Sequence, residues 1–401
     1  MPGPLAGVRV LDFTAMVSGP VATMMLADQG ADVIKIESPG GDLMRNYGTV
    51  YKGMSSSFLS GNRNKRSLCV DLKAKEGLEI VKRLLPSADV LVQNFRPGVI
   101  ERMGLGEDAV RKLRSDIVYV SISGFGDKGP YVHQRVYDPV IQALCGLAEL
   151  QADRNGDGRP RMVRTIVPDK TTAVTAAQAI TAALFARERS KTGQHVRIAM
   201  LDVMIAYLWP EAISSLSFVG NESDPARGQM GLDLVFKTQD GYITAGALSS
   251  AEWEGMCRAL NREDLIDDPR FNTVAGRSKN GAERRAITSA EIEKWSKKEI
   301  LKRLDEHGVP SAPVLSRTEL LEDEQVRINE ILEIHEDARF GPVRQPRPAA
   351  RFDRTPAKIN SMAPYLGEHN AAILCELGFS AADIERFAKA NVTLQPAVGA
   401  G

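Results

Sequence analysis

The sequence predicts an α/β protein: a Rossmann-like, mostly parallel sheet in a large domain, with a smaller α+β domain after it. Three observations predict it. Short β-branched runs alternate with longer helical patterns over roughly the first 200 residues, which is how βαβ units read. Beyond Ser223-Asp224-Pro225-Ala226-Arg227-Gly228 the chain becomes more charged and shorter in period. A stretch dense in Pro and Arg, Phe340 to Ala357, then precedes two last helical patterns.

The elements follow in order. Val8–Phe13 is apolar and β-branched and reads as a strand, Gly19–Gln29 has helical spacing, and Val33–Ile36 is the second strand. Ser67–Val70 as strand, Lys73–Leu85 as helix, Val90–Gln93 as strand, Asp108–Leu113 as helix and Ile117–Ser123 as strand continue the alternation. Beyond a loop rich in Asp, Arg and Gly (Ala152–Pro160), Thr171–Arg189 is rich in alanine, the best helix former, and ends at Lys191-Thr192-Gly193. Gln194–Ala199 returns as strand, and Leu201–Leu208 is apolar. In the smaller domain Tyr242–Ala245 reads as strand, with helices at Ala251–Leu260, Ala282–Ile292 and Lys297–Glu306. Phe340–Ala357 reads as an extended crossing segment, His369–Leu377 and Ala381–Ala388 as closing helices, and the last few residues as disordered. The domain limits are therefore 1–205, a linker 206–228, a small domain 229–325, and 326–401 returning to the large domain. Ligands of parallel sheets bind beyond the carboxyl ends of the strands, which places Phe13-Thr14, Gln93-Asn94-Phe95 and Ser123-Gly124-Phe125-Gly126 around the site.

Composition removes several classes of function. Lys plus Arg equals Asp plus Glu, 51 each, so no bulk field draws the protein to nucleic acid or to an anionic membrane. Cys69, Cys145, Cys257 and Cys375 lie far apart without zinc-like spacing, and the five histidines are scattered, so no metal is expected and the thiols read as reduced. The amino terminus has no signal-like h-region, and no apolar run approaches the roughly 20 residues needed to span a bilayer. The expected location is cytoplasmic.

The turn after the first strand, Ser18-Gly19-Pro20, is not the glycine fingerprint that seats a pyrophosphate on a helix N-terminus. Glu37 accordingly reads as a strand-end carboxylate. Arg63, Lys65, Arg66, Lys73, Lys75, Arg96, Arg102, Lys128 and Arg135 are spread along the same stretch and each, taken alone, reads as solvated surface.

Leu11-Asp12-Phe13-Thr14, Gly30-Ala31-Asp32-Val33-Ile34-Lys35-Ile36-Glu37, Asn64-Lys65-Arg66-Ser67, Asn94-Phe95-Arg96-Pro97-Gly98 and the isolated Asp169 together resemble the family III (formyl-CoA transferase-like) coenzyme A transferases, which are related to the α-methylacyl-CoA racemases. Asp268-Pro269-Arg270-Phe271, Gly308-Val309-Pro310-Ser311-Ala312-Pro313-Val314 and Tyr365-Leu366-Gly367-Glu368-His369 extend the resemblance over nearly the whole chain. It implies an interlocked homodimer that moves coenzyme A from an acyl-CoA donor to a small carboxylic acid, with no permanently bound cofactor. It also implies that Asp169 attacks the donor thioester. The coenzyme would be lined by Val17, Ser18, Val70, Asp71, Leu72, Lys73, Asn94, Phe95, Arg96, Arg102, Arg135, Val136, Tyr137 and Asp138. Val17 and Ser38 replace a glutamine and an arginine found in some members, and Arg45 is near enough in sequence to supply the missing cation. The small domain offers Ala245-Gly246-Ala247-Leu248 where some members have a glycine-rich loop.

From its residues alone, Asp169 ahead of a helical run reads as an N-cap contributing about 1 kcal/mol. A nucleophile at a helix N-terminus is compatible with that, because the helix dipole favours the ionised carboxylate. In racemases of this fold a histidine precedes the aspartate matching Asp138; here Tyr137 stands there, and His133 lies four residues before Tyr137, which ranks racemisation below transfer. A coenzyme A-binding protein without catalysis is the third reading.

Overall fold

The structure, a computed structural model, describes residues 1–152, 157–222 and 234–394. The expected change of character at Ser223–Gly228, part of the loop 152–160 and the expected disordered end lie outside the described residues. Two compact units emerge: Met1–Glu222 with Glu330–Gly401, and Ser223–Asn329.

The first unit is built on six parallel strands: β1 (Arg9–Asp12), β2 (Asp32–Glu37), β5 (Lys65–Cys69), β6 (Val90–Gln93), β7 (Val118–Ser123) and β8 (His195–Ala199). A short hairpin, β3 (Val50–Tyr51) and β4 (Met54–Ser55), interrupts them. The sheet order is β5-β2-β1-β6-β7-β8, so the winding reverses between β1 and β6. That reversal opens a crevice at the strands' carboxyl ends, where open α/β sheets hold their ligands. The helices are α1 (Ser18–Asp28), α2 (Ser56–Gly61), α3 (Lys75–Leu84), α4 (Val99–Arg102), α5 (Glu107–Arg111), α6 (Asp138–Leu144), α7 (Leu147–Leu150), α8 (Val167–Ser190) and α9 (Met200–Leu208).

The strands are apolar on both sides because both sides are covered. Leu11, Ile34, Leu68, Leu91 and Tyr119 face the layer containing Ile80, Val81 and Leu84 of α3, with Ile373 and Leu374 beneath it. Val10, Val33, Val90, Val118 and Val120 face α1 and the alanine stripe Ala173, Ala176, Ala177 and Ala183 of α8. Small residues on α8 let α1 and the sheet approach closely, which brings the N-termini of α1 and α8 together at the crevice.

The structure revises the crossing segment. Gly341–Pro346 is a strand (β13) paired antiparallel with Leu332–Asp337 (β12), so the first part of Phe340–Ala357 is one arm of a hairpin. Pro342 and Pro346 are tolerated because this ribbon has only two strands. In the second unit β9 (Val235–Thr238), β10 (Gly241–Ala245) and β11 (Ser311–Pro313) form an antiparallel sheet over a core of Trp253, Met256, Phe271, Ile292, Ile300 and Leu304. Its helix Ser250–Ala259 starts at a capping box formed by Ser249 and Glu252. Among the described residues no helix is long and apolar enough to cross a membrane.

Candidate active site

The turn leaving β1 is held by a buried polar network. Asp12, wholly buried, accepts from the Thr14 N–H at 2.9 Å and the Thr14 hydroxyl at 2.5 Å, from the Thr23 hydroxyl at 2.7 Å and from Lys65 Nζ at 2.9 Å. Lys35, also wholly buried, donates to the Thr14 carbonyl at 2.8 Å and to Asp42 Oδ2 at 3.0 Å, while the other Asp42 oxygen accepts from the Met16 N–H at 3.1 Å. Asn94 Oδ1 accepts from the Ala15 N–H at 3.0 Å, and Asn94 Nδ2 donates to the Ala15 carbonyl at 2.8 Å. Asn94 thus ties the end of β6 to the end of β1 across the reversal in strand order. Met16 is held at φ +69, a conformation disfavoured for a side-chain-bearing residue and sustained by these bonds. Gly19 must be glycine, since a Cβ there would lie 2.3 Å from Thr14.

This turn delivers Ser18 to Asp169. Asp169 lies in the first turn of α8, and Ile166 is the N-cap, with no side-chain capping bond. The capping role that the sequence suggests for Asp169 is therefore not the one it fills: Pro168 sits in the first turn with no N–H to satisfy, so the helix begins at Val167, upstream of the alanine run. The Asp169 N–H donates instead to Asp138 Oδ2 at 3.1 Å. Asp138, buried at the start of α6, is oriented by Gln142, whose Nε2 donates to its Oδ1 at 2.6 Å and whose Oε1 accepts from the Val163 N–H at 2.9 Å. The Asp169 carboxyl receives hydrogen bonds from the Ser18 hydroxyl and backbone. Burial first, and the facing Asp138 carboxylate second, push its pKa up to about 6 against those Ser18 bonds. At neutral pH it is an ionised carboxylate with no cation paired to it among the described residues: partly desolvated, fixed in direction and set among α1 and α8 N-terminal dipoles.

A family model described as CoA-transferase family III matches residues 5–370. The chain belongs to that family. It is 34% identical to the succinate–glutarate CoA-transferase of Agrobacterium fabrum over 390 residues, covering 93% of this chain and 96% of that one. It is 35% identical to the succinyl-CoA:glutarate CoA-transferase of Mus musculus over 381 residues, covering 93% and 86%. A crystal structure of a CaiB/BaiF family protein from Brucella suis superposes with a TM-score of 0.83 at 30% identity, covering 94% of this chain and all of that one. The protein is a CoA-transferase.

On this family III fold the residues expected to line the coenzyme separate into groups. Val17, Ser18, Asn94, Asp138 and Asp169 meet through the β1–α1 turn and the α8 N-terminus. Phe95 follows Asn94, with its N–H on Gln93 Oε1 at 2.8 Å. Arg96 and Arg102 lie on either side of the start of α4, both exposed and without an ion pair among the described residues; the same holds for Arg135 and Lys73. Val136 packs beside Ile141, Cys145 and Met204, and Tyr137 is exposed. Val70 is fully buried in the core and bridges to Thr393, the Asp71 N–H donates to the Val392 carbonyl at 2.8 Å, and Leu72 is partly buried. Of that stretch Lys73 is exposed and Asp71 half-buried, so Lys73 is the cation presented to solvent.

Four other basic residues are withdrawn from ligand duty. Arg63 is buried against Asp28 at 2.8 Å, Lys65 serves Asp12, and Arg66 pairs with Asp32 at 2.7 Å and Glu376 at 2.6 Å. Arg45, suggested as a substitute cation, forks onto Glu37 at 2.8 and 2.6 Å and stacks 3.7 Å over Phe58. Glu37 is accordingly a buried ion-pair partner. Sequence reasoning missed Lys35, Asp42 and Gln142. The available signal was a lysine within the apolar run Val33-Ile34-Lys35-Ile36, because a cation in a buried strand requires a buried partner.

Proposed function

We propose that Asp169 is the nucleophile of a reaction carrying coenzyme A from succinyl-CoA, or a similar acyl-CoA, to a small dicarboxylic acid such as glutarate. The observation that carries this is the state of Asp169: half-buried, raised to about 6, aimed by Ser18 and bonded to no cation. A carboxylate that is ionised at neutral pH but poorly solvated is a stronger nucleophile than one held in an ion pair. The names of the relatives support succinyl-CoA and glutarate as the pair to test first.

The Asp169 carboxylate attacks the thioester carbonyl and the coenzyme A thiolate leaves, giving an aspartyl–acyl anhydride. The thiolate then attacks the aspartyl carbonyl, releasing the donor acid and leaving an aspartyl–CoA thioester. The acceptor carboxylate reverses both steps. No proton has to be moved, which fits a site where Asp138 serves through its hydrogen bonds. Coenzyme A is a substrate in this scheme, and Lys73, Arg96, Arg102 and Arg135, exposed and without an ion pair among the described residues, would meet its phosphates. We assign the exposed apolar residues Phe185, Tyr207, Trp209, Phe218 and Val219 to contact with a second copy of the chain. Racemisation lacks support, since His133 is exposed and makes no hydrogen bond to Asp138 or Asp169.

Hydroxylamine added during turnover with succinyl-CoA is expected to leave a hydroxamate on Asp169, found by mass spectrometry of the peptide spanning 165–187. Asp169→Ala should lose exchange by a factor of about 1,000 or more while keeping coenzyme A affinity. An unmodified Asp169 peptide from an actively exchanging enzyme would overturn the assignment.

A further inference from the structure

A second hydrogen-bonded chain reaches the coenzyme site from the opposite edge of the sheet. Glu107, at the start of α5, is held by Arg111 at 2.9 Å and bonds His195 Nδ1 at 2.5 Å. His195, the first residue of the edge strand β8, places Nε2 2.9 Å from the Ser121 hydroxyl. Ser121 Oγ accepts from Gln93 Nε2 at 2.8 Å, and Gln93 Oε1 accepts from the Phe95 N–H at 2.8 Å. The imidazole packs edge-on against Tyr119, with centroids 4.9 Å apart. Burial pushes the His195 pKa down, against Glu107, which favours the neutral ring. Only one tautomer then fits the chain: Nδ1–H donates to Glu107, Nε2 accepts the Ser121 proton, and Ser121 Oγ is left to accept from Gln93.

The order acid, imidazole, hydroxyl is that of a nucleophilic triad, but the surroundings point elsewhere. Ser121 lies inside the paired strand β7, not on a turn, and its oxygen already accepts from Gln93. What the chain ends on is the backbone of the Asn94–Phe95–Arg96 turn. Gln93, Phe95, Ser121 and His195 all line a cavity of about 300 Å³, and on that side these hydrogen bonds tie the turn to β7 and β8. Asn94, the next residue, clamps Ala15, and Ala15 leads into Ser18 beside Asp169.

We infer that His195 and Ser121 are positioning residues for coenzyme A, holding the Asn94–Phe95–Arg96 turn in its binding conformation through Gln93. This rests on the assignment of that turn to the coenzyme. The chain acts on binding more than on chemistry, because it touches the turn directly and Asp169 only through the Asn94 clamp.

The test is Ser121→Ala against Ser121→Thr in the full-length enzyme, the second restoring a hydroxyl on the same carbon. Ser121→Ala should raise the dissociation constant for free coenzyme A and the KM for succinyl-CoA together, about three- to tenfold, with kcat changed by less than about twofold; Ser121→Thr should recover most of both. Unchanged coenzyme A affinity in a folded Ser121→Ala enzyme would sink the inference, as would a Thr variant with the wild-type melting temperature that fails to recover it. If Ser121→Ala does not fold, His195→Gln carries the same expectations from the other side of Ser121 and is judged by the same two measurements. Hydroxylamine trapping at Asp169 should persist in these variants. Its absence from the wild-type enzyme would be a failure of the nucleophile assignment and leaves the affinity comparison to decide the positioning role separately.

Discussion

Asp12, at the end of β1, is wholly buried and divides its two oxygens among Thr14, Thr23 and Lys65; Asp169, in the first turn of α8, is partly exposed and faces another carboxylate. Burial opposes ionisation of both. At Asp12 that is outweighed by Lys65 and Lys35 and by the Thr14 and Lys65 hydrogen bonds, which hold the carboxyl far below the usual range. At Asp169 only Ser18 opposes burial and Asp138, and the carboxyl rises to about 6. The difference teaches that a buried carboxylate becomes reactive when its cations are withheld. With them it becomes a structural post, and here the post aims the loop that serves the reactive one.

The comparison breaks most visibly at Lys65. Replacing it with Met leaves the Asp12 carboxylate buried and short of its cation, and about 3–5 kcal/mol of folding stability should be lost, read as a fall in the urea midpoint. A loss under about 1 kcal/mol would mean that the network does not support the turn.

Asp169→Asn should do the reverse. A folded pKa above the unfolded value means that ionisation costs the native state stability, a cost absent below about pH 4 and complete above about pH 6. The variant should therefore gain about 1–2 kcal/mol at pH 7.5, after discounting for partial exposure, and nothing at pH 4. Thermal melts at the two pH values check it, and a variant no more stable than wild type at pH 7.5 would remove the claim of strain at the nucleophile.

The smallest effects sharpen the account of what tunes Asp169. Exchange should fall as pH drops below about 6, because the attacking group must be ionised. Ser18→Ala removes a bond that favours the ionised form and should move this acid limb up; Asp138→Asn removes a facing charge and should move it down, each by up to about one pH unit. Limbs that move together in the two variants would refute the assigned causes.

The parallel sheet was legible because its strands are short, β-branched and buried on both faces, so Val90–Gln93 stands where the pattern puts it; in the second unit the helix Lys297–Glu306 does so too, from its helical spacing. The β12–β13 hairpin was not, since two prolines and several arginines mask an alternation that only pairing reveals. The start of α8 was hidden for a related reason: propensity points to the alanines, while Pro168 reads as a boundary although the first turn accepts it. In the site, Asp169, Ser18 and Asn94 were named in advance through the family resemblance, and the structure shows how they are joined. Which arginines are committed could not be read from sequence, because Arg63 and Arg66 find Asp28 and Asp32 about 35 positions away in the chain.

The far end of the chain closes the edge of the sheet, with Thr393 bridged to Val70, the Val392 carbonyl taking the Asp71 N–H and Asn370 linking Cys69 to Leu394. A nascent polypeptide therefore cannot finish its first unit when the sixth strand leaves the ribosome. It must wait while the whole second unit is synthesised, holding an unsealed β5 margin and exposed leucines and isoleucines through that interval, which makes this the stage of biogenesis at which a chaperone would matter most.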